Sequence, residues 1–168
     1  MGSGCSDLSK DATPKSGGID TVCLNPSDIE SLPTSGYSNR DHGRVTFRPI
    51  ISSDRTPTNS MSAGIATCTP KRYDQPASSG GNLAQHRHWQ AVIWIIQSGE
   101  GIVNVDMVEH KVQAGSVVFI PGHAEHGVRN DSVSEDLVWY YCYPTGRASD
   151  VRMRFTNDQG KVFDPMPR

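Results

Sequence analysis

From Val45 onward no window of a dozen residues sustains a helical repeat, and this constrains the fold more than any other feature of the 168-residue chain. The sequence breaks instead into short runs rich in β-branched and aromatic residues: VTFRPII, MSAGIATC, GNLAQHRHW, AVIWIIQ, GIVNVDM, HKVQ, SVVFIP, HGVRN and LVWYYCY. Gly, Pro, Asn, Asp or Ser separates them, and SGEG and QAGS read as tight turns. So many short strands in about 110 residues predict an all-β sandwich or small barrel, because closure is how such sheets remove their edges.

The boundaries follow from texture. Residues 1–40 are rich in Ser, Gly, Asp, Pro and Thr and read as a flexible polar arm, with only IDTVCL and PSDIESL hinting at local structure. Residues 41–155 form the barrel domain and 156–168 a tail. KRYDQPASSGG, 71–81, is a polar loop long enough to border an opening.

Composition excludes several partners. A net charge of −2, a pI near 6.3 and scattered basic residues give no electrostatic case for nucleic acid or a polybasic membrane patch. AVIWIIQ falls far short of the roughly 20 apolar residues of a membrane span, and the polar start has no secretory core. Cys5, Cys23, Cys68 and Cys142 show neither paired nor metal-like spacing, so a reduced, cytoplasmic protein is expected, with Cys68 and Cys142 as buried thiols. MGSGCS fits N-terminal myristoylation at Gly2 and palmitoylation at Cys5. Asp7 follows and no basic cluster supports the pattern, so a disordered polar start is the plainer expectation.

Chemistry-bearing residues concentrate in two stretches. In an extended strand, residues two apart share a face, so His86 and His88 point together, a natural clamp for Zn, Fe, Ni or Mn. By itself His-x-His fits an exposed or hydrogen-bonded pair equally well. The second stretch, GSVVFIPGHAEHGVRN (115–130), runs from a buried strand through a turn to His126.

Together they resemble the paired motifs of the cupin superfamily. Gly80, His86, His88, position 92 and Gly99 fall on the first motif; Gly115, Pro121, His126 and Asn130 fall on the second, 15 residues further on. The resemblance covers residues 45–145. It implies a double-stranded β-helix, or jelly roll, with His86, His88 and His126 as ligands of a divalent metal (Fe, Mn, Ni or Zn). It also implies a homodimer, with an arm strand such as VTFRPII added to the partner's sheet.

Two departures bear on chemistry. The family's glutamate falls on Val92, which cannot ligate, and a family glycine falls on His123, with Gly122 one place earlier. Histidine tolerates positive φ better than most residues, so His123 is either a turn residue or a substitute acid/base. Gln90, one strand period past His88, is the other catalytic candidate: its amide could hydrogen-bond a substrate or support a water. Three neutral imidazoles around a divalent ion leave a +2 centre, a stronger Lewis acid than one with a carboxylate, though more weakly held.

Trp94 alternates onto the face of Val92, near where lyase relatives often carry a tyrosine base; indole cannot abstract a proton, which counts against tyrosine-dependent β-elimination such as sulfonium-propionate cleavage. Trp94, Phe119 and Tyr141 are the candidate pocket residues, Met61 and Ile65 further wall candidates. In LVWYYCY either Trp139, Tyr141 and Tyr143 or Val138, Tyr140 and Cys142 face the cavity. His42 and His110 are expected in solvent, and Glu125 outward. The expectation is a small-molecule metalloenzyme of secondary metabolism with isomerase, lyase or decarboxylase chemistry. An Fe(II) dioxygenase, a non-catalytic binding cupin and a storage cupin are the alternatives.

Overall fold

A computed structural model of the protein describes Ile19, residues 21–71 and residues 81–158. MGSGCS, Gly80 and most of the 71–81 loop lie outside the described residues.

The alternation of the short runs becomes two antiparallel sheets. The first has six strands in the order β1 (Ser35–Gly36), β2 (Val45–Ile51), β3 (Ser62–Cys68), β10 (Leu137–Tyr143), β5 (Val92–Ser98), β8 (Val117–Ile120). The second has five, in the order β11 (Arg154–Phe155), β4 (Asn82–Arg87), β9 (His126–Arg129), β6 (Glu100–Val105), β7 (Val108–Gln113). Neighbours far apart in sequence, β3 beside β10 and β4 beside β9, give the jelly-roll topology.

Inward positions of both sheets build one core: Val92, Trp94 and Ile96 from β5, Trp139, Tyr141 and Tyr143 from β10, with Leu83, Val103, Ile120 and Val128 among their neighbours. Burial of each such aliphatic side chain contributes about 1.5–3 kcal/mol before entropy is counted. Period two decides the face, and it resolves the ambiguity of LVWYYCY. Trp139, Tyr141 and Tyr143 point in, while Tyr140 is exposed. The β5–β6 turn at Gly99 has φ of 77°, and a Cβ there would lie 2.3 Å from the Asp136 carbonyl oxygen; only glycine fits.

The N-terminal region is more structured than its composition predicts. A short helix, α1 (Pro26–Ser31), starts with proline in its first turn and a capping box in which the Asn25 amide donates to Asp28 Oδ2 at 2.8 Å. A 3-10 turn at Arg40–His42 follows β1. Tyr37 packs edge-on against Phe47 and Phe155, with ring centroids 5.3 and 5.0 Å away. The folded body therefore begins before residue 41, because one well-placed aromatic can anchor an otherwise polar segment.

VTFRPII forms β2, which pairs with β3 along its length and with β1 at Thr46 and Phe47. Two further expectations are corrected. His42 stacks on Phe155 at 3.7 Å and pairs with Asp158 at 2.9 Å, so it is not solvated. Cys23 is disulfide-bonded, whereas Cys68 and Cys142 are free thiols; linear spacing says nothing of pairing between loops. No helix among the described residues is long and apolar enough to cross a membrane.

Candidate metal centre

Strict alternation along β4 would defeat the site. Leu83 points inward, so His86, three residues on, would face out. A β-bulge between Leu83 and His86 absorbs one residue: Leu83 pairs with Val128, but His86 pairs with His126. Two residues, Ala84 and Gln85, thus oppose Gly127 alone, and His86 turns inward opposite His126. Bulges re-aim side chains in this way. His88 follows just beyond the strand, and His86, His88 and His126 are all buried.

The three rings offer one ligand atom each within 4.8 Å of one another. Ring centroids are 4.3 Å apart for His86–His126, 4.7 Å for His88–His126 and 5.8 Å for His86–His88. Each Nδ1 sits against a main-chain carbonyl: His86 on Ala84 at 2.9 Å, His88 on Gln90 at 2.7 Å and His126 on Ala124 at 2.8 Å. A neutral Nδ1–H donates in each case, which leaves the Nε2 lone pairs free. All three Nε2 atoms are buried without a hydrogen-bond partner. Leaving three acceptors unsatisfied would cost about 1–3 kcal/mol apiece, and a divalent cation taking all three removes that cost. Three imidazoles fixed through their second nitrogen are a fitting donor set for a transition metal.

Burial, reinforced by the neighbouring imidazoles, sets their protonation. Burial and His126 hold His86 well below the ordinary histidine range. Burial and His126 push His88 down to about 4. Burial also lowers His126. All three are therefore neutral, and ligand-competent, at neutral pH.

The surroundings are aromatic. Trp94 lies 5.6 Å from His126, Phe155 5.3 Å from His86 and Tyr143 5.2 Å from His88. Trp139 backs Trp94 at 5.1 Å, and Tyr141 backs Tyr143 at 5.5 Å. Val92 is buried on the same inward face as Trp94, so the position of the family's glutamate brings no oxygen to the centre.

The other sequence candidates divide. Trp94 and Tyr141 are inside the barrel, Trp94 against the triad and Tyr141 behind Tyr143. Phe119 pairs with Ile93 on the outward face and is 64% exposed, so its expected pocket role is corrected: in VVFI the alternation sends Val118 and Ile120 inward. Met61 is likewise exposed. His123 is exposed with φ of 69°; its ring lies edge-on to Trp89 at 4.2 Å, outside the barrel. Its amide donates to the His88 carbonyl at 2.8 Å. The glycine requirement falls on Gly122, where a Cβ would meet the Trp89 carbonyl oxygen at 2.4 Å. β4 ends at Arg87, so Gln90 does not continue its face. The Gln90 main-chain oxygen holds His88, while its Nε2 lies 3.4 Å from the Asp150 carbonyl. Asn130 clamps the end of β9, with Nδ2 donating to the Cys68 and Glu135 carbonyls at 3.0 and 2.8 Å. Glu125 points away from the triad, accepting from Thr156 Oγ1 and, at 3.4 Å, from Arg87. His110 is exposed.

Sequence reasoning missed Phe155, because a two-residue strand carries no periodic signal, and missed the three carbonyls that fix the rings. A histidine bonding its own i−2 or i+2 carbonyl leaves no mark on residue type.

A cupin domain family model matches residues 75–143. The dimethylsulfoniopropionate lyase DddW of Ruegeria pomeroyi is 32% identical over 129 residues, 77% of this chain and 78% of that protein. The chain belongs to the cupin superfamily. Among solved structures, the polyketide cyclase RemF of Streptomyces resistomycificus superposes with a TM-score of 0.62 at 13% identity, over 80% of this chain and 86% of that one. A cupin 2 conserved barrel domain protein from Rhodopseudomonas palustris gives a TM-score of 0.56 at 18% identity, over 76% and 78%. At such identities these two structures speak for the cupin fold alone.

Proposed function

We propose that this cupin is a metal-dependent lyase acting on a small zwitterion, with His86, His88 and His126 holding a divalent transition metal. The observation that carries the reading is the trio of converging, unpartnered Nε2 atoms, each ring locked by a carbonyl. When bound, the metal supplies Lewis-acid polarisation of a carboxylate or carbonyl oxygen. With Val92 in place of a carboxylate, the centre keeps its full +2 charge for an anionic group.

The chain's own residues do the rest. The rings of Trp94 and Tyr143 attract a cationic group, and among the described residues no carboxylate is fully buried to compete. Burial raises the Tyr143 phenol above its ordinary range, so its hydroxyl stays protonated and donates to an anionic substrate. Carboxylate toward the metal and onium group toward the rings is the division a sulfoniopropionate requires, and the DddW relative's name states such a substrate. Trp94 has no proton-accepting atom. Of the three rings outside the triad that lie against it, Tyr143 alone carries an oxygen. Gln90 acts through its main chain by fixing the His88 tautomer, and His123 stands apart from the chemistry.

The test is reconstitution of metal-stripped protein with Fe(II), Mn(II), Ni(II) or Zn(II), followed by metal analysis and incubation with dimethylsulfoniopropionate. β-Elimination would break the C–S bond and the C–H bond beside the carboxylate, releasing dimethyl sulfide, acrylate and a proton, the first two measured in headspace and solution. One equivalent of metal, release of both products, and loss of turnover by about 10²-fold or more in His88→Ala are expected. Full turnover by His88→Ala would exclude metal catalysis. Stoichiometric metal with no product from any form would sink the sulfoniopropionate reading.

A further inference from the structure

The inward positions of β3 are Ser62, Gly64, Ala66 and Cys68, and Ser62 among them is fully buried with a hydroxyl to satisfy. The other buried Ser, Asn and His side chains among the described residues all have a task. His86, His88 and His126 make up the triad. Asn130 donates to two carbonyls, and the Ser52 hydroxyl donates to Asp54 and accepts from the Ala148 amide. Ser62 remains, its Oγ enclosed and without a hydrogen-bond partner. A buried hydroxyl left unpaired lowers stability, and an alanine at the same place would avoid the loss.

Register places that hydroxyl at the level of the metal centre. Ser62 lies directly opposite Tyr143 on β10, and the Tyr143 ring lies 5.2 Å from the His88 ring. On the other side of β10, Tyr141 pairs with Trp94, so two residues on Tyr143 comes level with Val92. Val92 in turn pairs with Ile120. Ser62, Tyr143, Val92 and Ile120 thus form one inward row, the row that holds the position of the family's glutamate. In that row Ser62 and Tyr143 alone carry a side-chain oxygen. Tyr141, one row away, is turned aside: a Cβ on Gly64 would overlap its hydroxyl, so its phenol lies over the β3 backbone.

We propose that Ser62 is a further substrate-contacting residue, whose hydroxyl, beside the Tyr143 phenol, donates to the carboxylate of a small anionic substrate. The proposal rests on the reading of this site as one that takes such a carboxylate, and it adds a contact from a strand outside both histidine motifs. Facing side chains on paired strands stand about 5 Å apart, so Ser62 and Tyr143 form an adjacent pair of donors on one wall. An ionised carboxylate has two oxygens and about four acceptor positions, more than a metal ion and one phenol occupy. A hydrogen bond to that charged group is stronger than a neutral one. It offsets the loss that the unpaired hydroxyl imposes on the ligand-free protein.

The test reads stability and binding separately, with propionate as the probe because it carries the carboxylate and no leaving group. In metal-free protein, Ser62→Ala is expected to raise the melting temperature by about 2–4 °C. In metal-loaded protein, compared at equal metal occupancy, calorimetry is expected to show propionate bound about tenfold or more weakly by Ser62→Ala than by the wild type. Equal propionate affinity in the two proteins overturns the proposal, as does a wild type that binds no propionate. A lower melting temperature, or failure to fold, in Ser62→Ala also overturns it, because the hydroxyl would then be serving the fold. The lyase reading fails separately. Propionate binding that depends on Ser62, with no product from dimethylsulfoniopropionate, would sink the lyase and leave this contact in place.

Discussion

At the scale of single residues, Val92 is the most informative departure. It is buried and faces inward where a cupin usually offers a carboxylate. Val92→Glu should destabilise the metal-free protein, because an unpaired carboxylate would be buried, at a cost of about 3 kcal/mol or more. Added metal should more than restore the loss. A larger metal-induced rise in melting temperature than in the wild type, together with tighter binding by calorimetry, is the expected pair of outcomes. The histidines give a second prediction. Their folded-state pKa values lie below the unfolded value of about 6.5, so the unfolded chain binds more protons as pH falls. Their contribution to stability is present above pH 6.5 and is lost as pH falls toward about 4, the value for His88. Urea melts of metal-free protein should show stability falling through that window. In His86→Ala the pH dependence should be shallower.

At the scale of elements, the site depends on the bulge in β4 and on the strand facing it. Gly127 opposes the two bulged residues, and a Cβ there would lie 2.7 Å from the Leu83 carbonyl oxygen and 3.2 Å from the Gln85 side chain. Gly127→Ala should therefore push β4 away from β9 and misalign His86 against His126. The expected cost is about 1–3 kcal/mol in stability and about 10- to 100-fold in metal affinity. A Co(II)-substituted protein would report the change in ligand geometry directly in its visible spectrum. Unchanged spectrum and affinity would show that the bulge does not set the ring's position.

At the scale of the whole molecule, the segment before the first long strand belongs to the barrel. Tyr37 bridges β2 and β11, and its hydroxyl donates to Met153 Sδ at 2.6 Å. Burial raises its phenol above the ordinary range. Tyr37→Ala should cost about 3–5 kcal/mol, as large aromatic truncations in cores do. It should also loosen Phe155, which lies against His86, and so weaken metal binding. Tyr37→Phe, which keeps the ring, should restore both thermal stability and metal content to near wild type.

The sequence alone was enough for the all-β class, and its resemblance to the paired cupin motifs implied the topology and named His86, His88 and His126 together as candidate ligands. Period-two alternation and turn residues are local properties, and the two motifs fix their own spacing. Alternation likewise showed that Val92 and Trp94 share a face. Only the tertiary structure decided which half of LVWYYCY faces inward, that Phe119 faces out, and that Tyr37, His42 and Phe155 close one end of the core. Each of those outcomes turns on register between strands distant in the chain. A one-residue bulge in β4 reverses the face that local alternation assigns, and nothing in NLAQHRH marks where the extra residue is absorbed.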